Sequence, residues 1–274
     1  MCLAALAVNC LAEWPLIAIA NRDEFHNRPS QPLHTWTEAS PTIAAGRDLQ
    51  SGGTWMGIGA NGRFALLTNV RSAALQRGDR APSRGALVVN ALHGQMPSMA
   101  EAPLYSGFNL IAGRLVAPHG TGVEVELDYT TNQLDHGPQP TRLSAGVHAL
   151  SNGALDCTWP KTSRLSQAMF SQIEQWQKPG NTSSPSLDIK TLEAWAFDAL
   201  ACTQQAPDEH LPNTGVPLEW ERMLSAIKIV SPVYGTRSSA VVAVHADGQA
   251  YFTEWTYLPD GNVAGVARLQ LKLI

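Results

Sequence analysis

The chain has 274 residues, with 19 Lys plus Arg against 23 Asp plus Glu, a formal charge of −4 and only 15% charged residues. A chain of that length can bury a sizeable core, and its charge balance excludes a coiled coil, an acidic disordered tail and a strongly basic nucleic-acid binder. The four cysteines, Cys2, Cys10, Cys157 and Cys202, are too sparse for a disulfide scaffold and lack the spacing of structural zinc. They point to a reducing, cytoplasmic compartment.

The run from Met1 to Ala20 is the one stretch apolar enough to suggest a signal peptide or a membrane span. It has no positive n-region, and Asn9, Glu13 and Pro15 interrupt it, so no stable membrane insertion is expected. It divides into two buried strands, Cys2 to Val8 and Leu16 to Ala20, joined by a turn around Cys10 to Pro15. Further strands are expected over Phe64 to Thr68, Phe108 to Ala112, Val123 to Leu127, Ala240 to His245, Ala250 to Trp255 and Val263 to Leu273. Asn61-Gly62 and Asp247-Gly248 are hairpin signals. Three helices are expected: one capped by Ser83 and running through Leu87, Val88, Ala91 and Leu92, then Arg164 to Trp176 and Asp188 to Cys202, with apolar residues at three- and four-residue steps. Lys178 to Pro185 reads as a surface loop between the last two. Strands at both ends and helices in the middle predict an α+β arrangement, read as one domain over 1–274.

Gly57-Ile58-Gly59-Ala60-Asn61-Gly62 matches G-x-G-x-x-G, but that fingerprint needs a following helix, whereas the strand-like Arg63 to Leu67 follows here. The stretch is therefore read as a hairpin. No phosphate-loop, nucleophile-elbow or zincin motif occurs, and the eight histidines show no ligand spacing, so neither a metal nor a required cofactor is expected.

Cys2 stands out because removal of the initiator Met would leave a thiol and a free α-amine on one residue, a nucleophile with its own base. The alternative is a small apolar residue opening a buried strand. Asn21-Arg22-Asp23-Glu24 places charges at the end of an apolar strand, where they need partners. If the first two strands form a hairpin centred near Ala12, Leu16 lies opposite Val8 and Arg22 opposite Cys2, so the guanidinium shares a face with the thiol and lowers its pKa. Alternation sends Asp23 to the other face unless a bulge or the strand end rotates it back. A purely structural Arg–Asp pair is the competing reading.

Met1-Cys2, Asn21-Arg22-Asp23-Glu24 with Arg28-Pro29, Gly53 to Gly57, Leu67 to Arg71, Leu150-Ser151-Asn152, Trp159-Pro160-Lys161 and Gly235 to Ser239 together resemble the NRDE family, also called the transport and Golgi organization protein 2 family. The match spans nearly the whole chain. That family is similar to N-terminal nucleophile hydrolases of the penicillin V acylase and bile-salt hydrolase type, which implies a four-layer αββα sandwich. It implies Cys2 as nucleophile, Arg22 and Asp23 orienting the terminus, Asn69 and Asn152 as oxyanion donors and Arg237 as a second arginine of the site. Arg22 and Asp23 are adjacent here, whereas the acylases separate the two by two residues. Asn69 could instead simply end a strand, and Asn152 could occupy a positive-φ turn position. The implied activity is hydrolysis of a C–N amide bond in a small acylated substrate. The alternative is a non-catalytic protein that carries haem or an acyl lipid in an apolar pocket.

Overall fold

The structure is a computed structural model that describes residues 2–36, 40–78, 81–116, 122–133, 139–178 and 187–273. Met1 and most of the expected Lys178 to Pro185 loop lie outside those residues.

The first two strands are β1 (Cys2–Val8) and β2 (Leu16–Phe25), paired antiparallel with Val8 opposite Leu16 and Cys2 opposite Arg22. This is the register expected for a hairpin centred near Ala12. β2 differs from expectation in length. It continues through Asn21 to Glu24 rather than ending before them, because each of these polar residues finds a partner inside the fold. Asn21 donates through Nδ2 to the carbonyls of Leu200 (3.0 Å) and Ile227 (2.9 Å) and accepts from Ser239 Oγ.

Sheet B then begins with β3 (Ser30–Trp36), β4 (Ile43–Asp48), β5 (Met56–Gly59) and β6 (Arg63–Asn69), followed by α1 (Arg84–Leu92). The sheet is completed by β7 (Phe108–Val116), β8 (Glu124–Thr131) and β9 (Thr141–Arg142), and β10 (Gly146–Leu150) returns to pair with β1. Two helices follow, α2 (Pro160–Gln177) and α3 (Ile189–Leu200), then the short α4 (Leu218–Leu224) and the strands β11 (Tyr234–Val244), β12 (Gln249–Tyr257) and β13 (Val263–Lys272). The strand order is β10-β1-β2-β11-β12-β13 in one sheet and β3-β4-β5-β6-β7-β8-β9 in the other, all antiparallel.

The layers follow from which side chains each strand sends to which face. Ala4, Leu6 and Val8 of β1 meet Leu16, Ala18 and Ala20 of β2 between the two sheets, with Met56, Phe64 and Ile111 from the second sheet. The intervening residues Leu3, Ala5, Ala7, Ile17 and Ile19 pack outward on Leu165, Met169 and Ile173 of α2 and on Leu192 and Ala196 of α3. Helix α1 covers the other sheet with Leu87, Val88, Ala91 and Leu92. The result is a four-layer αββα sandwich. It explains why the N-terminal run is apolar without alternation: both faces of β1 and β2 are covered, and each fully buried Leu or Ile contributes about 1.5–3 kcal/mol.

Asn61-Gly62 does form a hairpin, between β5 and β6, so the glycine-rich stretch is no dinucleotide site. The turn is closed by Gly62 N–H on the Gly59 carbonyl at 3.0 Å, with Gly62 at φ 71°. Gly248 plays the same part between β11 and β12 at φ 86°. In both, the left-handed glycine follows a residue that is not at positive φ, which fits the three-residue hairpin rather than the two-residue one. Strands β3, β4, β5, β9 and β10 and helix α4 were not among the elements expected from the sequence, and α2 begins four residues before the expected Arg164, with Pro160 in its first turn.

Candidate active site

Cys2 begins β1 at an open end of the sandwich, and its side chain shares the inter-sheet face with that of Arg22. Both line a cleft of about 360 Å³ between the sheets and the N-terminus of α1. Arg22 is 6% exposed and donates through Nη2 to Asp48 Oδ2 at 3.3 Å, with its guanidinium 4.7 Å from the centroid of the Trp55 ring. Asp48 also accepts from Arg28 Nε at 2.5 Å and, through Oδ1, from the N–H groups of Gln50 and Ser51. Burial pushes the Asp48 carboxyl up, but these bonds, Arg28's first, hold it below the usual range.

Asp23 obeys strand alternation. It turns to the helix side, where Oδ1 accepts from Thr236 Oγ1 at 2.7 Å, yet at the strand's end it still reaches the cleft wall. Its neighbour strand carries a bulge: Thr236 lies opposite Asp23 and Ser238 opposite Arg22, with Arg237 as the extra residue. Burial pushes the Asp23 carboxyl up, and Lys161 is the main charge acting against that.

The thiol does not behave as the cation alone predicts. Burial pushes Cys2 up, the Arg22 guanidinium works in the other direction, and the Asp23 and Glu24 carboxylates reinforce burial, so the outcome is a raised pKa. A thiol in this state needs a base to react quickly at neutral pH.

Asn69 ends β6 and lines the cleft. Asn152 is fully buried beside it: Nδ2 donates to the Asn69 carbonyl at 2.9 Å, and its own carbonyl accepts from Arg71 N–H at 2.8 Å. Asn152 does not take the positive-φ conformation weighed for it; among the described non-glycine residues only Asn9 and Asp156 do. Its neighbour Ser151 donates to the Cys2 carbonyl at 3.2 Å. Arg237 stands apart from the cleft lining, and its Nη1 is shared by the carbonyls of Phe25, His26 and Arg28 at 3.0, 2.9 and 3.1 Å. The structure therefore brings Cys2, Arg22, Asp23 and Asn69 to one cleft, sets Asn152 behind Asn69, and uses Arg237 to hold the segment that carries Arg28.

Several contributors had no assigned role in the sequence reading. Lys161, in the first turn of α2, is 1% exposed, and its Nζ has no hydrogen-bond partner among the described residues. Burial lowers its pKa from 10.5 to about 8, against the pull of Asp23. Asn109 on β7 ties the loop after β10 in place, donating to the Gly153 carbonyl at 2.8 Å and accepting from Tyr129 Oη at 2.8 Å. Gly53 and Gly85 bring the β4–β5 loop against the start of α1 so closely that a Cβ on Gly53 would lie 2.4 Å from the Gly85 carbonyl carbon. The Gly53 to Gly57 motif supplied a signal for this contact, since only glycine permits such backbone approach.

A sandwich of this kind is the fold of the N-terminal nucleophile hydrolases. It resembles the mutant C2A conjugated bile acid hydrolase from Clostridium perfringens with a TM-score of 0.51 over 98% of this chain and 92% of that one, at 8% sequence identity. The family model described as Transport and Golgi organisation 2 matches residues 1–259, and the chain belongs to that family. The Transport and Golgi organization protein 2 homologs of Bos taurus and Homo sapiens are 33% and 34% identical to it. The bovine match covers 89% of this chain and 87% of the relative, the human one 87% and 85%. No helix among the described residues is long and apolar enough to cross a membrane.

Proposed function

We propose that this chain acts as one unit, an N-terminal cysteine hydrolase that cleaves the C–N bond of a small acylated amide. The observation that carries this reading is the direct pairing of Cys2 with Arg22 on the cleft face. With the initiator Met removed, the α-amine of Cys2 takes the thiol proton as sulfur adds to the substrate carbonyl. The Asn69 side chain donates to the developing oxyanion, and Asn152 keeps Asn69 in place through its carbonyl. The C–N bond then breaks, the amine leaves with that proton, and water hydrolyses the thioester to release the acid and restore the thiol.

The cleft lining favours this over carriage of haem or an acyl lipid. It is dominated by guanidinium, carboxylate and hydroxyl groups, and Trp55 is the one of the eight tryptophans that lines it. Four free thiols support a reducing, cytoplasmic setting.

The test is intact mass spectrometry of the purified protein, alone and after mixing with N-acetylglycine or N-acetylethanolamine. The expected result is loss of one methionine and an acetyl adduct on Cys2 that Cys2→Ala cannot form. Retention of the methionine, or full turnover by Cys2→Ala, would overturn the reading.

A further inference from the structure

We propose that Arg84, the first turn of α1 and Nη1 of Arg22 form an anion-binding subsite beside Cys2, which holds an oxyanion group, such as a carboxylate, carried by the substrate. The proposal gives the substrate of the hydrolase reading a charge, and rests on that reading only for where the scissile bond lies.

The first observation is a helix start built without its usual negative complement. Helix α1 has nine residues, its cap Ser83 makes no side-chain bond to the first turn, and no acidic residue lies in that turn. The Ala86 N–H is taken by the Ser83 carbonyl at 3.1 Å, while Ser83, Arg84 and Gly85 line the cleft at the positive end of the helix dipole. Arginine is a poor choice for the first helical position, because the dipole repels it. Its presence there concentrates positive charge where proteins ordinarily relieve it.

The second observation is that the three guanidinium groups of the cleft, Arg22, Arg28 and Arg84, match its three carboxylates, Asp23, Glu24 and Asp48, in number but not in contact. Arg84 donates through Nη1 to the Gly107 carbonyl at 3.2 Å and has no carboxylate within ion-pair distance among the described residues. Burial works against its charge, and Arg28 with it, while the Glu24 carboxylate across the cleft favours it without reaching contact. Arg22 and Arg28 share Asp48. Glu24 is taken by the Phe25 N–H at 2.9 Å and by Arg28 at 3.7 Å, and Asp23 turns to Thr236 on the helix side. Independently of the helix, Arg22 is 94% buried in side-chain terms and lines the cleft, yet its Nη1 has no hydrogen-bond partner among the described residues. A buried guanidinium N–H without an acceptor costs free energy until an oxygen reaches it, so the cleft is built to receive one.

Iodoacetate and iodoacetamide test this directly, since they deliver the same carbon to a thiol with and without a carboxylate. The readout is the ratio of their alkylation rates at Cys2, followed by peptide mass, relative to the same ratio for glutathione. Because the ratio is taken within each protein, overall changes in thiol reactivity cancel. In the wild type the ratio should exceed that of glutathione by about tenfold, the effect of one charge-assisted hydrogen bond. Arg84→Gln should bring it down to the glutathione value, and Arg84→Lys should keep most of it. As a measurement that needs no variant, inorganic sulfate should slow labelling by iodoacetate more than by iodoacetamide. A wild-type ratio no greater than that of glutathione, equal slowing of both reagents by sulfate, or a preference that survives in Arg84→Gln would overturn the subsite. Absence of amide turnover with the preference intact would instead remove the hydrolase reading and leave the subsite standing.

Discussion

Cys2 and Arg22 are a direct cross-strand pair, and they are the last such pair at the open end of the β1–β2 ladder. The guanidinium is fixed by Asp48 and Trp55, so it presents a constant positive field to a thiol that burial otherwise keeps protonated. Arg22→Met should therefore move the pH midpoint of Cys2 alkylation by iodoacetamide upward by about one unit. A midpoint that stays in place or moves down would show that the pair is structural only.

Lys161 gives a pH signature to stability. Its folded pKa of about 8 lies below the ordinary 10.5, so between those values the unfolded chain holds a proton that the folded chain lacks. Stability then rises with pH through that window, and below it the buried charge costs about 3 kcal/mol. Urea unfolding from pH 7 to 10.5 should show this rise in the wild type relative to Lys161→Met. Parallel curves for the two proteins would contradict it.

Glu254 on β12 gives the opposite slope. It is 1% exposed and accepts the Leu33 N–H at 2.8 Å, and burial raises its pKa from 4.5 to about 7. Between those values the folded chain holds the extra proton, so stability falls as pH rises. Glu254→Gln keeps an acceptor for Leu33 and removes the charge. It should match the wild type near pH 4 and exceed it by about 3 kcal/mol at pH 8. An equal urea midpoint for both proteins at pH 8 would refute the account.

Gly53→Ala places a methyl against the backbone of Gly85, at 2.4 Å from its carbonyl carbon, where no side chain can turn aside. The expected loss is at least about 2 kcal/mol of stability, measured by urea unfolding at pH 7. Gly52→Ala provides the contrast, since a Cβ there meets nothing within 4 Å and the cost comes from its φ of 74° alone. If Gly53→Ala is the milder of the two, the close approach is not what that glycine serves.

Much of the scaffold was legible in the sequence where one periodicity governed. The apolar runs of β1 and β2 and the hydrophobic steps of α2 and α3 were readable, and counting from the turn was enough to pair Cys2 with Arg22. Strands such as β4 and β5 escaped because Ile43 to Asp48 and Met56 to Gly59 are short and rich in glycine and alanine, so their pairing comes from neighbours rather than local pattern. In the site, Lys161 and Arg84 sat in plain view as ordinary cations. What distinguishes them is burial and the company of distant charges, neither of which a linear pattern records. Arg237 was singled out as part of the site, yet its guanidinium reaches three carbonyls of a neighbouring segment.

The bulge at Arg237 has a bearing on chain length. Because Thr236 and Ser238 already sit opposite consecutive residues of β2, excision of the intervening arginine would close the ladder without displacing a single partner. A deletion on either side would throw every later residue onto the wrong face. The strand thus concentrates its tolerance for gain or loss of length at one position, and what that position holds in exchange is the conformation of residues 25 to 28.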